Sequence, residues 1–232
     1  MRRVTVVTGS SKGIGRYLAE HYLEKGHYVA GCSRTESGLV HDCYDHFHLD
    51  VSDEKAVKAM VARIYQKHKR IDHLLNNAGV SSLNHSLLTP LSTVEKIFST
   101  NLFGCFLFSR EVGKIMARNR FGRIVNFSSV AVPLALEGEA VYAASKSAVE
   151  TLTRILAKEL APSGITCNSI GPSPIPTDLI RNVPEQKITE ILARQAIHEL
   201  GAFEDVAHIL DFFLSEKSGK VTGQILYMCG VS

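Results

Sequence analysis

The 232 residues predict an α/β fold: one doubly wound domain over residues 1–232, with a central parallel sheet flanked by helices on both faces. Two observations carry this. Short apolar, β-branched runs alternate with amphipathic stretches along the whole chain, the pattern of a parallel sheet covered on both sides. No linker, repeat or low-complexity segment breaks the alternation, and the length and the 45% hydrophobic content suit one large core.

The elements follow in order. Val4–Thr8 is short, apolar and β-branched, which predicts a buried strand. A glycine-punctuated loop, Gly9–Gly15, leads into a helix from about Ile14 to Lys25 that stops before Gly26. Tyr28–Ser33 is expected as the second strand and Phe47–Leu49 as the third. The connection from Arg34 to His46 is too short for much helix. Asp53 is placed to cap a helix reaching His68, and His73–Asn76 forms the fourth strand. Ser92 is expected to cap the next helix, ahead of a long one over Asn101–Arg118. Arg123–Phe127 is the fifth strand, Val141–Leu160 a helix that ends near Pro162, and Ile165–Ile170 the sixth strand. A loop with three prolines, Gly171–Pro176, precedes helices over Glu185–Arg194 and Glu204–Leu214 and a last strand, Ile225–Met228.

Composition excludes several classes. A formal charge of +3 does not suggest a nucleic-acid or membrane-surface binder. No run of about eighteen apolar residues predicts a membrane span, and Val4–Val7 is too short for a signal-peptide core. Five scattered cysteines without a Cys-x-x-Cys predict reduced thiols in a cytoplasmic protein, with no metal site.

The loop Thr8-Gly9-Ser10-Ser11-Lys12-Gly13-Ile14-Gly15 joins the first strand to the first helix. Glycines there permit a tight turn and close approach of a pyrophosphate, and the helix N-terminus offers N–H groups and positive dipole to the anion. An ordinary glycine-rich turn is the alternative. NAD is usually held by an acidic residue after the second strand, which binds the ribose 2′-OH. That segment reads Cys32-Ser33-Arg34-Thr35-Glu36, where a basic residue follows the strand. Arg34 and Lys12 suit a 2′-phosphate, so NADPH is expected over NADH. Glu36, about twenty residues after the glycines, argues the other way and is read as a solvated turn residue.

Tyr142 and Lys146 stand four apart, on one face of a helix. A lysine ammonium beside the ring would lower a phenol pKa of about 10 and tune it for proton transfer to a carbonyl or alcohol oxygen. The pair alone also fits an ordinary surface contact.

With Thr8–Gly15, Asp50-Val51, Asn76–Gly79, Asn101, Ser128-Ser129, Tyr142–Lys146 and Pro172–Thr177 in this order, the chain resembles the short-chain dehydrogenase/reductase family, most of all its 3-oxoacyl-[acyl-carrier-protein] reductases. The resemblance covers nearly the whole chain and implies a Rossmann-type domain. It implies that Tyr142 is the general acid and that Ser129, rather than Ser128, hydrogen-bonds the same substrate oxygen. Lys146 binds the nicotinamide ribose, and Asn101 holds a water linking Lys146 to solvent. It further implies a cofactor site of Gly9, Ser11, Lys12, Gly13, Ile14 and Gly15 in the phosphate loop and Ser33 and Arg34 at the 2′ position. Asp50 and Val51 would meet the adenine, Asn77, Ala78 and Gly79 the adenosine, and Pro172, Ile175 and Thr177 the nicotinamide and pyrophosphate, with Tyr142 and Lys146 completing the site.

The implied reaction is NADPH-dependent reduction of a ketone, either acyl-carrier-protein-bound or a free small molecule. A non-enzymatic NADPH-binding regulator is the reading from another class. A homo-oligomer, tetramer or dimer, is expected to pack through Asn101–Arg118 and Tyr142–Leu160. Departures from the family pattern are Pro172-Ser173 in place of Pro-Gly and Cys229-Gly230-Val231 in place of Asp-Gly-Gly. Arg120 and Arg123 are expected near the active-site mouth, where they would attract an acidic carrier. Glu137 and Glu139 would repel it. Residues 130–136 and 180–192 are expected to line the substrate cleft.

Overall fold

The computed structural model describes residues 2–178, 180, 181 and 183–231; Asn182, inside the expected cleft segment, lies outside the described residues. Seven strands form one sheet in the order β3-β2-β1-β4-β5-β6-β7: β1 Val4–Thr8, β2 Tyr28–Ser33, β3 Tyr44–His48, β4 His73–Asn76, β5 Gly122–Phe127, β6 Ile165–Gly171 and β7 Ile225–Tyr227. Every neighbouring pair is parallel. All carboxyl ends therefore share one edge, and the chain reverses its winding between β1 and β4, where such sheets bind ligands.

The helices are α1 Gly13–Glu24, α2 Glu54–His68, α3 Leu91–Phe98, α4 Cys105–Asn119, α5 Ala131–Leu134, α6 Ala140–Leu160, α7 Glu185–Ala193 and α8 Phe203–Leu214. Side-chain alternation along the strands splits the core. Val4 and Val6 of β1 and Ile124 of β5 pack with α2, α4 and α6. Val7, Val125 and Phe127 pack on the other face with α1 and α8. Among the described residues no helix is long and apolar enough to cross a membrane.

Three expectations about the elements need correction. The third strand begins at Tyr44, not Phe47; as an edge strand it carries polar residues on one face, which hid it from an apolar pattern. Ser92 does not cap α3. Pro90 occupies the N-cap and Ser92 falls in the first turn, because proline's fixed φ suits a helix entrance and its missing N–H costs nothing there. Asn101 does not open an α-helix: Ser99–Gly104 is a π-helical segment joining α3 to α4. Asp53 does cap α2, accepting from Lys55 and Ala56 N–H.

Arg120 and Arg123 are not at the cavity mouth. Arg120 precedes β5 and Arg123 is its second residue, so most of the strand, at roughly 3.3 Å per residue, separates them from the edge that carries Ser129. Arg123 is buried, with its guanidinium donating to Ser215 and Gly122 carbonyls. Arg120 donates to the Pro162 carbonyl.

Candidate active site

A cavity of about 1020 Å³ runs along the carboxyl edge, with Ser33 and Arg34 at one end and Ser129, Tyr142 and Lys146 at the other. Of the expected site residues, all line it except Gly15 and Asn101. Glu36 does not reach it.

The phosphate loop follows from β1. Gly9 and Gly13 adopt φ of 72° and 56°, which a side chain would strain. Gly15 sits beneath the loop: a Cβ there would fall 2.2 Å from the Gly9 carbonyl oxygen. Lys12, at the N-cap of α1, supplies no side-chain cap, so the first-turn N–H groups of Gly13 and Ile14 remain available on the cavity wall. Asn77 Nδ2 donates to the carbonyls of Thr8 (2.9 Å) and Gly9 (3.3 Å), and Ala78 N–H donates to Thr8 Oγ1 (3.0 Å). These bonds tie the β4 turn to the phosphate loop. Thr177 reaches over the loop from β6, 3.4 Å from where a Gly13 Cβ would stand. Lys12 Nζ pairs with Asp178 at 2.7 Å, a partner the sequence did not suggest.

At the far end, Ser33 lies against the sheet and Arg34 is exposed, its guanidinium free of any ion pair among the described residues. Burial opposes ionisation of Asp50, yet hydrogen bonds from the Ser52 N–H and hydroxyl and the nearby Arg34 charge hold its carboxyl below the ordinary range. Val51 packs under the π segment, where a Cβ on Gly104 would meet Val51 Cγ2 at 2.5 Å.

At the near end, α6 places Tyr142 and Lys146 on one buried face. Lys146 Nζ donates to the Phe127 carbonyl (2.7 Å) and lies 5.8 Å from the Tyr142 ring centroid. The expected depression of the tyrosine does not hold. Burial pushes the Tyr142 phenol up to about 12, a hydrogen bond from Ser129 opposes this, and Glu139 adds to it. Burial also lowers the Lys146 ammonium to about 8. Desolvation is the largest cause of the shift in both groups.

Asn101 stands behind this pair. Its Oδ1 accepts from Val80 N–H (2.9 Å), and its Nδ2 donates to the Val80 carbonyl (2.9 Å) and to Ser145 Oγ (3.0 Å). Both amide protons are thereby spent within the protein. A Cβ on Gly79 would come 3.4 Å from Lys146 Nζ and 3.5 Å from Asn101 Oδ1, so the three surround one point. Ser128 is engaged elsewhere, donating to buried Glu150, which also accepts from Tyr227. Ser129 is left as the serine facing Tyr142.

Pro172 O accepts from Val130 N–H (3.3 Å), and Ile175 is buried in the α1–α8 core. Ser173 lines the cavity, nearly buried, its hydroxyl unpartnered among the described residues and packed towards Gly201. Leu136 and Ile191 wall the substrate end. Glu139 also lines it, and burial raises its carboxyl against the opposing charge of Lys187. Cys229, with φ of 57°, and Gly230 turn the chain so that Val231 packs in the cluster that holds Tyr142.

Sequence reasoning gave no role to Thr8, Val80, Ser145 or Glu150, whose hydrogen bonds support the site. It also missed Tyr44, His46 and His48, whose alternation along β3 is a period-two signal once the strand is started early enough.

A family model described as enoyl-(acyl carrier protein) reductase matches residues 9–230. The chain belongs to the short-chain dehydrogenase/reductase family. It is an oxidoreductase of that family. The 3-oxoacyl-[acyl-carrier-protein] reductase FabG of Haemophilus influenzae is 33% identical, over 98% of this chain and 97% of its own. The ligand-free aldohexose dehydrogenase AldT of Thermoplasma acidophilum superposes with a TM-score of 0.89 at 31% identity, covering 98% of this chain and 92% of its own. A structure of ElxO with NADP bound gives a TM-score of 0.90 at 28% identity, covering 98% and 97%.

Proposed function

We propose that this oxidoreductase interconverts a ketone and a secondary alcohol with NADP, taking NADPH in preference to NADH, and that its substrate is a 3-oxoacyl thioester of the acyl-carrier-protein type. The observation that carries the reading is the Ser129–Tyr142–Lys146 group at the end of a cavity whose other end presents a glycine loop, an open helix N-terminus and an unpaired Arg34. The residues fit a dinucleotide phosphate: N–H groups of α1 for the pyrophosphate, Arg34 for the 2′-phosphate, and the space above Gly79 and Lys146 for the ribose.

When bound, NADPH supplies the hydride. Tyr142, a neutral phenol at pH 7 whose pKa burial raises further, holds the proton that passes to the substrate oxygen. The Ser129 hydroxyl donates to the same oxygen and stabilises its growing negative charge. Lys146, held by the Phe127 carbonyl, keeps two further N–H donors for the ribose and for returning a proton towards Tyr142.

The thioester reading is supported by the 33% identity to FabG and by the apolar wall of Leu136, Ile188 and Ile191. A second reading, a free hydroxylated carbonyl compound, is favoured by the Glu139 carboxyl, which lines the cavity and would accept a hydrogen bond from a substrate hydroxyl. The likeness to an aldohexose dehydrogenase supports it too, as does the distance of Arg120 and Arg123 from the mouth. NADPH oxidation with acetoacetyl carrier protein, the free thioester and a panel of hydroxy-ketones decides between them. Preference for the carrier form upholds the first reading, activity confined to free ketones upholds the second, and no turnover on any of them refutes both.

The same proposal includes a cytoplasmic homo-oligomer. Phe103 and Phe106, around the start of α4, and Ile155 of α6 are exposed and would be covered by a second copy. A monomer by light scattering would refute that part.

A further inference from the structure

We infer that His46 and His48 are positioning residues for the nucleotide's 2′-phosphate: they hold the Ser33–Arg34–Thr35 corner in the shape that lets Arg34 meet it. The inference rests on the assignment of Arg34 made above. It concerns residues outside the cavity lining, on the strand next to β2.

The bonds form a closed circuit. His48 Nε2 lies 2.6 Å from the Arg34 carbonyl oxygen. His46 Nε2 lies 3.1 Å from the Thr35 carbonyl oxygen and 3.1 Å from Ser33 Oγ. Ser33 Oγ itself donates to the Thr35 carbonyl at 2.7 Å. On its other side, His46 Nδ1 meets the Tyr44 hydroxyl at 3.0 Å, and that hydroxyl meets Ser10 Oγ of the phosphate loop at 3.1 Å. Thr35 Oγ1 closes the ring by donating to Ser11 Oγ at 3.1 Å. The 2′ corner and the phosphate loop are thus linked through β3.

Hydrogen-bond chemistry fixes the tautomers. A carbonyl oxygen only accepts, so Nε2 of both histidines carries the proton. In the neutral His46 ring, Nδ1 then accepts from Tyr44, and the Tyr44 oxygen accepts from Ser10. The register places Tyr44, His46 and His48 alternately along β3, hence on one face, with His46 beside Gly31 and His48 beside Ser33 of β2. Gly31 is part of the device. A Cβ there would fall 2.3 Å from both Ser10 Oγ and Tyr44 Oη, so the bond between them passes through the space a side chain would fill.

The consequence for the ligand is electrostatic. The carbonyl oxygens of Arg34 and Thr35 are the negative ends of the corner's peptides. Each is satisfied by an imidazole N–H, which fixes the peptide planes and keeps those oxygens from turning towards a phosphate dianion. Without the histidines the corner gains alternative conformations, and the competent one is diluted in proportion. NAD lacks the 2′-phosphate and loses little by that dilution.

Calorimetric titration with NADP⁺ and with NAD⁺ tests this on the full-length apoprotein, using wild type, His48→Ala, His46→Ala/His48→Ala, His46→Gln and Arg34→Ala. The double variant is expected to bind NADP⁺ about tenfold more weakly, and NAD⁺ within about twofold of wild type. His46→Gln, which keeps an N–H donor, should recover part of the loss. His48 is exposed, so His48→Ala serves where the double variant does not fold. Equal losses for both nucleotides, or no loss for either, would overturn the inference. Should Arg34→Ala lose the discrimination while the histidine variants keep it, only the histidine inference fails. An Arg34→Ala protein that still discriminates would remove the 2′-phosphate assignment itself.

Discussion

Replacing Lys146 with methionine removes a charge that the fold keeps at a cost. The ammonium is buried beside Tyr142, and burial lowers its pKa from 10.5 to about 8. Between those values the unfolded chain binds more protons than the folded one, so stability rises with pH through that window. At pH 7 the ammonium is present in both states and the cost of holding it is about 3 kcal/mol. By pH 9.5 the folded lysine is largely neutral, and about 2 kcal/mol of that cost has gone. The unliganded wild type should therefore gain about 2 kcal/mol relative to Lys146→Met between pH 7 and 9.5. At this chain length that corresponds to roughly 4–8 °C in relative Tm. The assay is thermal unfolding of both proteins at matched concentration across that range. It stops short of pH 10 because Tyr142, raised by burial to about 12, then works in the opposite sense: the unfolded phenol ionises first and stability falls. Parallel Tm-versus-pH curves for the two proteins would refute the claim that burial governs Lys146.

Tyr142→Phe should lower kcat by about 10²–10⁴-fold while NADP⁺ binding by calorimetry stays within a few-fold of wild type; near-normal turnover would remove the tyrosine from the proton path. Gly15→Ala places a methyl 2.2 Å from the Gly9 carbonyl oxygen and 2.4 Å from Asn77 Nδ2, so the phosphate loop must shift. Urea unfolding should show a loss of about 1–3 kcal/mol, with weaker cofactor binding, and an unchanged midpoint would show that the loop yields freely. Asn101→Ala orphans the Val80 N–H and carbonyl and removes the donor to Ser145 Oγ, with an expected loss of about 1–3 kcal/mol and reduced kcat. Stability equal to wild type would show that water replaces the amide without penalty.

The central strands were legible because they are buried on both faces and read as short apolar or β-branched stretches, as in Val4–Thr8 and in Leu74-Leu75 at the centre of His73–Asn76. The cofactor loop was legible because its glycines do what no other residue can at φ of 72° and 56°. Tyr142, Lys146 and Ser129 were legible as spacing, and the folded chain brings them together. Their electrostatics were not. A helical pair at i and i+4 says nothing of desolvation, and it is burial that raises the phenol instead of lowering it. The π segment around Asn101 leaves no mark in propensity, since its residues suit an α-helix equally well. Lys12 was assigned to the phosphate by its position in the loop, and its salt bridge to Asp178 depends on a segment more than 160 residues away. Arg123 read as a cation near the active-site mouth. Its burial follows from opening a central strand, where neighbouring carbonyls satisfy the guanidinium.

The bonds from Asn77 to the Thr8 and Gly9 carbonyls, and from Ala78 to Thr8, have a thermodynamic corollary. The walls of the nucleotide groove are already fastened to each other before any ligand arrives. Association then demands little ordering of the backbone, and more of the contact energy appears as affinity. Such a groove favours rapid capture, with a heat-capacity change that reflects buried apolar surface and no coupled folding.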